Sequence, residues 1–217
     1  MALDILEIDF KFPETVYILA PGFEGKAHWN RIPPDAFVIA VNYGIMIPRV
    51  QKHIWMAEDS SLPKLYTWFR DAAKDYIAKG YLLDEPYPTP VFDSGYMYEH
   101  FPNVPYIYKS GPHLSYQAPH YKPFAIIPGL LRGYCTISSK AIQLAIQKDA
   151  KRIVLCGVDM RGKMYFDETV TESGYVKEGF GGPWIFVPRF NEFLKHLKGE
   201  GIEVVSLSPT ALDVEVV

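Results

Sequence analysis

Short apolar runs, each closed by a turn or polar residue, recur along the chain. Val16–Ala20 is followed by Pro21 and Gly22, Ala36–Val41 ends at Asn42, and His53–Ala57 ends at Glu58 and Asp59. Residues 152–157 stop at Gly157-Val158-Asp159, and Ile202–Leu207 stops at Ser208-Pro209. Runs of this length, rich in β-branched or aromatic residues and flanked by breakers, predict strands. Polar residues do not alternate with the apolar ones, so these strands are expected to be covered on both faces, as in a parallel sheet between helices. The polar strand ends then gather along one rim. An ionised carboxylate is costly to bury unpaired, so Asp159 is expected where its strand leaves the core, at an open crevice.

Helical periodicity fills the intervals. Residues 62–79 place Leu65, Trp68, Phe69 and Ala72 on one face. Residues 138–149 do the same with Ala141, Ile142, Ala145 and Ile146, behind Ser138 or Ser139 as N-cap. Residues 188–198 carry Phe190, Phe193, Leu194 and Leu197, with Pro188 suited to a first turn and Gly199 or Gly201 to an end. Alternating strands and helices predict a single doubly wound α/β domain over residues 1–217, with a mostly parallel sheet and helices on both faces. Residues 80–135 differ. They hold nine of the 18 prolines and nine of the 15 tyrosines, too aromatic for disorder. This segment is expected to be an irregular insertion or lid over the sheet, with short strands near Val91 and Ile107. It serves either as a pocket wall or as a structural flap.

Composition narrows the function classes. The chain has 217 residues, 48% of them hydrophobic, and a formal net charge of -3. That balance argues against a general nucleic-acid binder. Cys135 and Cys156 do not read as a disulfide framework, and Cys156 lies inside an apolar run. The first residues carry acidic groups and no basic, apolar leader, and no run approaches the roughly 20 apolar residues of a membrane span. A cytoplasmic protein is the expectation, with homo-oligomerisation left open.

Several strand ends carry candidate chemistry. The turn Ala20-Pro-Gly-Phe-Glu-Gly25 brings backbone N–H groups where a phosphate could meet them, but it has neither GxGxxG nor GxxxxGK[ST]. Asn42 offers an amide that donates and accepts at once, suited to a base or sugar edge, or to its own turn. Glu58 and Asp59 suit a metal, acid/base work or the capping of the next helix. Thr136-Ile-Ser-Ser139 supplies hydroxyls and N–H groups at a helix start, which suits an anion and also plain capping. His113 and His120 lack a third ligand in a zinc pattern, and no G-x-S-x-G nucleophile elbow is present.

Taken in order, the segments YILAPG, DAFVIAVN, TISSKAIQLAIQKDAKRIVLCGVDMRGKMYFD and FNEFLKHLKGEGIEVVSLSPTAL resemble the bacterial sialyltransferases of the Campylobacter lipooligosaccharide type. They also resemble the related family typified by archaeal 6-hydroxymethylpterin diphosphokinase. KRIVLCGVDM is the most specific piece, the spacing from Thr136 to Asp159 fits, and a late S-P-x-(S/A)-L fits at Ser208–Leu212. The likeness covers about two-thirds of the chain and leaves out most of residues 80–130. It implies a Rossmann-like sheet with a nucleotide at the strand ends and a nucleotide-activated donor such as a CMP-sugar as substrate, with Mg²⁺ as cofactor only for the phosphotransferase. By position, Gly22 would face phosphate and Asn42 the nucleotide. Thr136, Ile137 and Ser138 would flank the base or donor sugar, Gly157 would let the nucleotide approach, and Asp159 would sit at the crevice, while Asp59 is a nucleotide- or substrate-binding candidate by its place at a strand end. Tyr165 would match a tyrosine that hydrogen-bonds the departing phosphate.

The pattern also departs from the family. The first loop replaces an Asn and a Ser with Pro21 and Glu24, and the T-S-G helix start has become Thr136-Ile137-Ser138. Residues 179–190 hold no His where the sialyltransferases place a general base. Removal of a proton from an acceptor hydroxyl needs a base within hydrogen-bond reach, leaving Asp159, Asp59, His113 and His120 as candidates. The leading expectation is a nucleotide-sugar-dependent glycosyltransferase that displaces a nucleotide phosphate with an acceptor hydroxyl. One alternative is a diphosphokinase-like phosphotransferase with Mg²⁺ held by Glu58, Asp59 and Asp159. The other is a non-catalytic nucleotide-binding or structural relative that has lost its base.

Overall fold

Nine strands build one sheet: β1 Leu3–Asp4, β2 Thr15–Leu19, β3 Phe37–Val41, β4 Ile54–Ala57, β5 Thr89–Asp93, β6 Tyr106–Tyr108, β7 Arg152–Cys156, β8 Glu203–Ser206 and β9 Glu215–Val216. The computed structural model describes residues 2–58, 67–79, 88–94, 96–109, 126–132, 136–160 and 186–217. In space the strands run β1-β6-β5-β4-β3-β2-β7-β8-β9, and every pairing is parallel. From β2 the chain adds strands outward on one side as far as β6. It then returns and lays β7 on the free side of β2. The sheet order therefore reverses between β2 and β7, and in open α/β sheets ligands bind beyond the carboxyl ends of the strands near such a reversal.

Helices cover both faces, the arrangement of a Rossmann-like α/β fold. They are α1 Thr67–Lys79, α2 Tyr96–His100, α3 Ile137–Gln147 and α4 Val187–Gly199. Successive strand residues point to opposite faces, and this sorts one sequence into separate cores, the third of them around Leu19, Val38, Val154 and Val205. Ile54, Met56 and Val91 join α3 and α4 through Ala141, Ile142, Phe190 and Phe193. Trp55, Ala57 and Phe92 join α1 and α2 through Phe69, Ala73, Met97 and Phe101. Trp55 lies at the centre of the second core, with ring centroids 5.0 Å from Phe69 and 5.3 Å from Phe92. The uninterrupted apolar runs thus follow from cover on both sides.

Two elements differ from expectation. Residues 89–93 and 106–108, read as short strands of a segment over the sheet, are β5 and β6 inside it, between β4 and β1. Proline enters β5 at Pro90, yet Thr89 still donates its N–H to the His53 carbonyl at 2.8 Å. The second difference is the start of α3. Thr136 is its N-cap residue, without a side-chain capping bond. Ser138 and Ser139, expected as caps, lie inside the helix, and the Ser139 hydroxyl donates back to the Thr136 carbonyl at 2.7 Å. The expected helix start at residues 62–66 lies outside the described residues. No helix among the described residues is long and apolar enough to cross a membrane.

His53 joins β3 to β4 through a titratable bond. Its Nδ1 accepts the Val38 N–H at 3.2 Å, and its ring stacks on Phe37 at 4.6 Å. Burial pushes the imidazole below its ordinary 6.5. The folded protein therefore holds His53 neutral at pH values where the unfolded chain binds a proton. Stability from this group is complete above about pH 6.5 and is lost as pH falls toward the depressed folded value. Urea denaturation between pH 5 and 7.5 should show that decline. His53→Asn, which keeps an acceptor and cannot titrate, should flatten it.

Candidate functional site

The carboxyl end of the β2–β7 pair brings together three residues singled out from sequence, Gly22, Gly157 and Asp159. It packs them against one another. Gly22 donates its N–H to the Gly157 carbonyl at 2.9 Å. A Cβ on Gly22 would lie 2.2 Å from that carbonyl oxygen and 2.5 Å from the Asp159 carboxylate carbon. Gly157 has φ +73°, and a Cβ there would lie 2.2 Å from the Ala20 carbonyl oxygen. Glycine is needed here because two loops touch backbone to backbone.

Asp159 completes the junction. It is 6% exposed, and its Oδ2 accepts the Glu24 N–H at 2.7 Å. The carboxylate expected at an open crevice is instead a buried brace, acceptable there because a backbone donor meets it. The loop after β8 supports the same turn. Ser208 Oγ accepts the Gly157 N–H at 3.0 Å, the Thr210 hydroxyl donates to the Val158 carbonyl at 2.7 Å, and Ala211 donates its N–H to the Asp159 carbonyl at 2.8 Å. Cys156 lies beneath. Burial, aided by the Asp159 carboxylate, pushes its thiol up to about 12, which leaves it in the unreactive thiol form.

This geometry changes the reading of the first loop. The N–H groups of Gly22, Glu24 and Gly25 all donate within the protein, so they do not form a phosphate cradle. A magnesium site shared by Glu58 and Asp159 also fails. Glu58 follows β4 and Asp159 follows β7, three strands apart in the sheet, roughly 14 Å at ordinary strand spacing. Metal–oxygen bonds are about 2.0–2.6 Å. Among the described residues no group of three or more His, Cys, Asp and Glu side chains could hold a metal ion.

The second group lies over β3–β6. Asn42 follows β3 in a left-handed conformation, φ 47°, and Trp55 Nε1–H donates to its carbonyl at 3.0 Å. The buried tryptophan thereby fixes the turn that carries the Asn42 amide, whose Oδ1 is buried with no hydrogen-bond partner among the described residues. Helix α3 packs across β2, β3 and β4 and runs against the strands, so its start lies at their carboxyl edge. There the Thr136 hydroxyl is likewise buried without a partner, and Ser138 is buried. Asp59 and Tyr165 lie outside the described residues.

Sequence periodicity did not reveal Lys140. Every residue from Ile137 to Ala145 is buried, including the polar face on which Lys140 and Gln143 fall. Gln143 is satisfied by residue 132: its Nε2 donates to the Arg132 carbonyl at 2.7 Å, and its Oε1 accepts the Arg132 N–H at 2.9 Å. Lys140 pairs with Glu58. A buried lysine looks like an exposed one in a sequence. The usable signal was Glu58, a carboxylate closing a buried strand.

Comparison with known proteins supports the fold. No protein-family model matches the chain, and no curated protein does. Among solved structures, the sialyltransferase CstII from Campylobacter jejuni in complex with the substrate analogue CMP-3FNeuAc aligns with 94% of this chain and 85% of its own, at TM-score 0.53 and 14% identity. The monofunctional alpha-2,3-sialyltransferase Cst-I from Campylobacter jejuni aligns with 96% of this chain and 84% of its own, at TM-score 0.53 and 14% identity. At such identity the shared property is the fold.

The junction yields a graded test. Gly157→Ala should cost about 3 kcal/mol or more, from left-handed backbone and crowding together. Gly201→Ala should cost about 1–2 kcal/mol, because Gly201 has φ +79° and nothing within 4 Å of an added Cβ. Asp159→Ala should cost about 1–3 kcal/mol by leaving the Glu24 N–H without its acceptor. Asp159→Asn, which keeps an acceptor oxygen, should cost less. Urea denaturation midpoints read all four, and equal midpoints for the two glycine variants would remove the crowding argument.

Proposed function

We propose that this chain binds a nucleotide-activated donor along the carboxyl edge of β3–β6 and acts as a glycosyltransferase of sialyltransferase-like type. An acceptor hydroxyl would displace the nucleotide phosphate from the donor sugar. The observation that carries this reading is the pair of buried, unpartnered polar atoms at that edge, Asn42 Oδ1 and Thr136 Oγ1. A buried polar group without a partner costs about 1–3 kcal/mol, and a bound ligand would supply what they lack. The fold shared with structures described as complexes with CMP and a CMP-sugar analogue makes a nucleotide the natural choice.

In this reading Asn42 meets the base or ribose, and Thr136 and Ser138 flank the donor where α3 begins. Its N-terminal N–H groups and the helix dipole favour an anion there. The phosphate belongs near α3 rather than in the first loop, whose N–H groups at 22, 24 and 25 are engaged. Gly22, Gly157 and Asp159 support the edge by holding β2 to β7. Tyr165 keeps the role implied by resemblance, bonding the departing phosphate, and Asp59 keeps its strand-end candidacy for binding the nucleotide or substrate. The engaged first loop and the absence of His from residues 179–190 favour a second reading, a non-catalytic nucleotide-binding relative.

A thermal-shift series with CMP, CDP, UDP, GDP, ADP and ATP, each with and without Mg²⁺, tests binding. CMP should raise the midpoint without metal. A ligand that binds only the folded state adds about 2.7 kcal/mol at a hundredfold excess over its dissociation constant. Asn42→Ala and Thr136→Val should reduce the shift. A shift with ATP that requires Mg²⁺ would favour phosphotransfer, and no shift with any nucleotide would defeat the reading. Release of CMP from a CMP-sugar in the presence of acceptor glycans separates the transferase from the non-catalytic relative.

A further inference from the structure

A cluster of buried polar side chains lies at the carboxyl ends of β4, β5 and β6, beneath the start of α3. Glu58 follows β4, Asp93 ends β5, Tyr108 ends β6, and Lys140 enters from the first turn of α3. Lys140 is 1% exposed and its Nζ pairs with Glu58 Oε1. The same ammonium lies 5.7 Å from the centroid of the Tyr108 ring. Tyr108 is fully buried, and its hydroxyl has no hydrogen-bond partner among the described residues. Burial, then the Glu58 carboxylate, then the Asp93 carboxylate hold that phenol well above its ordinary range, so the hydroxyl keeps its proton and remains a donor.

These groups make an unusual set for a purely structural cluster. A phenol buried without a partner destabilises the fold, as does a hydroxyl buried unpaired at Thr136. Lys140, Tyr108 and Thr136 all carry protons to donate, and the N-terminus of α3 adds positive potential. What such a set accepts is an oxyanion. One is already present. The Glu58 side chain is 20% exposed, so of the ion pair it is the partner that reaches solvent and can leave.

We propose that the Glu58 carboxylate holds the place of an oxyanion of the ligand, and that Lys140 and Tyr108 form the receiving site. When the ligand's phosphate or carboxylate enters, it takes over the Lys140 ammonium and supplies the Tyr108 hydroxyl with its missing acceptor, while Glu58 turns outward. Asp93 stays behind and helps keep Tyr108 protonated. The inference rests on the carboxyl edge being the ligand site, as in the function proposed above, and adds the residues that recognise charge and the one that competes for them.

Titration calorimetry on the full chain, with inorganic pyrophosphate and with glucuronate as probes, tests it. Glu58→Gln removes the competing charge and should tighten one of the two about tenfold. The probe that responds identifies phosphate or carboxylate as the source. Tyr108→Phe should weaken the same probe without lowering the unfolding midpoint, because its hydroxyl has no partner to lose. Glu58→Gln with Lys140→Met removes both charges of the ion pair, so neither partner is left without the other, and should abolish binding. The inference is overturned if Glu58→Gln binds neither probe more tightly than the unmodified protein, or if Tyr108→Phe lowers the midpoint and leaves affinity unchanged. Oxyanion binding that follows this pattern with no CMP shift would defeat the nucleotide reading alone. A CMP shift indifferent to Glu58→Gln and Tyr108→Phe would defeat this inference alone.

Discussion

At the reversal of the sheet, between β2 and β7, backbone meets backbone and no side chain fits between. Gly22 and Gly157 allow that approach, the Gly22 N–H and the Asp159 carboxylate fasten it, and the loop after β8 braces it from the other side. The whole strand order depends on this contact, because it joins the half of the sheet that runs from β2 to β6 to the half that begins at β7. It also uses up donors that many nucleotide-binding folds leave for phosphate at the first loop. Under the proposed function, ligand chemistry would lie to one side of that contact, at the ends of β3–β6 and the start of α3.

That placement fits the character of the two candidate groups. Around the junction the Gly22, Glu24 and Gly157 N–H groups and the Thr210 hydroxyl each meet an acceptor, as buried groups should. Along the neighbouring edge, Asn42 Oδ1, Thr136 Oγ1 and the Tyr108 hydroxyl are not paired among the described residues. The positioning is nevertheless strict. Trp55, packed in the core of α1 and α2, bonds the Asn42 carbonyl, and α3 is buried over its first nine residues. Rigid elements carrying unsatisfied groups are what preorganised binding requires.

The fold was legible in the sequence to the extent that burial leaves a pattern. Uninterrupted runs such as Phe37–Val41 could only be two-sided strands, and the periodic residues of α3 and α4 marked helices correctly. β5 and β6 were read as strands of a covering segment, because the prolines and tyrosines around them conceal membership of a sheet. Membership is decided by pairing with residues far away in the chain, such as Ile54 with Thr89. The site was less legible. Asp159 was picked out because a carboxylate ending a strand is costly to bury, but the N–H that makes burial acceptable comes from Glu24, and no local pattern announces such a partner. Lys140 is illegible for the same reason: its partner Glu58 follows a strand far away in the chain.

The parallel pairing of β2 with β7 has a consequence for how the chain acquires its shape. Thr15 lies opposite Arg152, so an interior pair of the sheet joins segments separated by most of the chain. Closing so long a loop is entropically costly before any contact repays it, and such topologies fold slowly. During synthesis β2 emerges early and waits for β7, with an apolar edge and unpaired backbone groups exposed. A chain halted before residue 152 would carry an open strand at what should be the interior of its sheet, the kind of edge that recruits other chains.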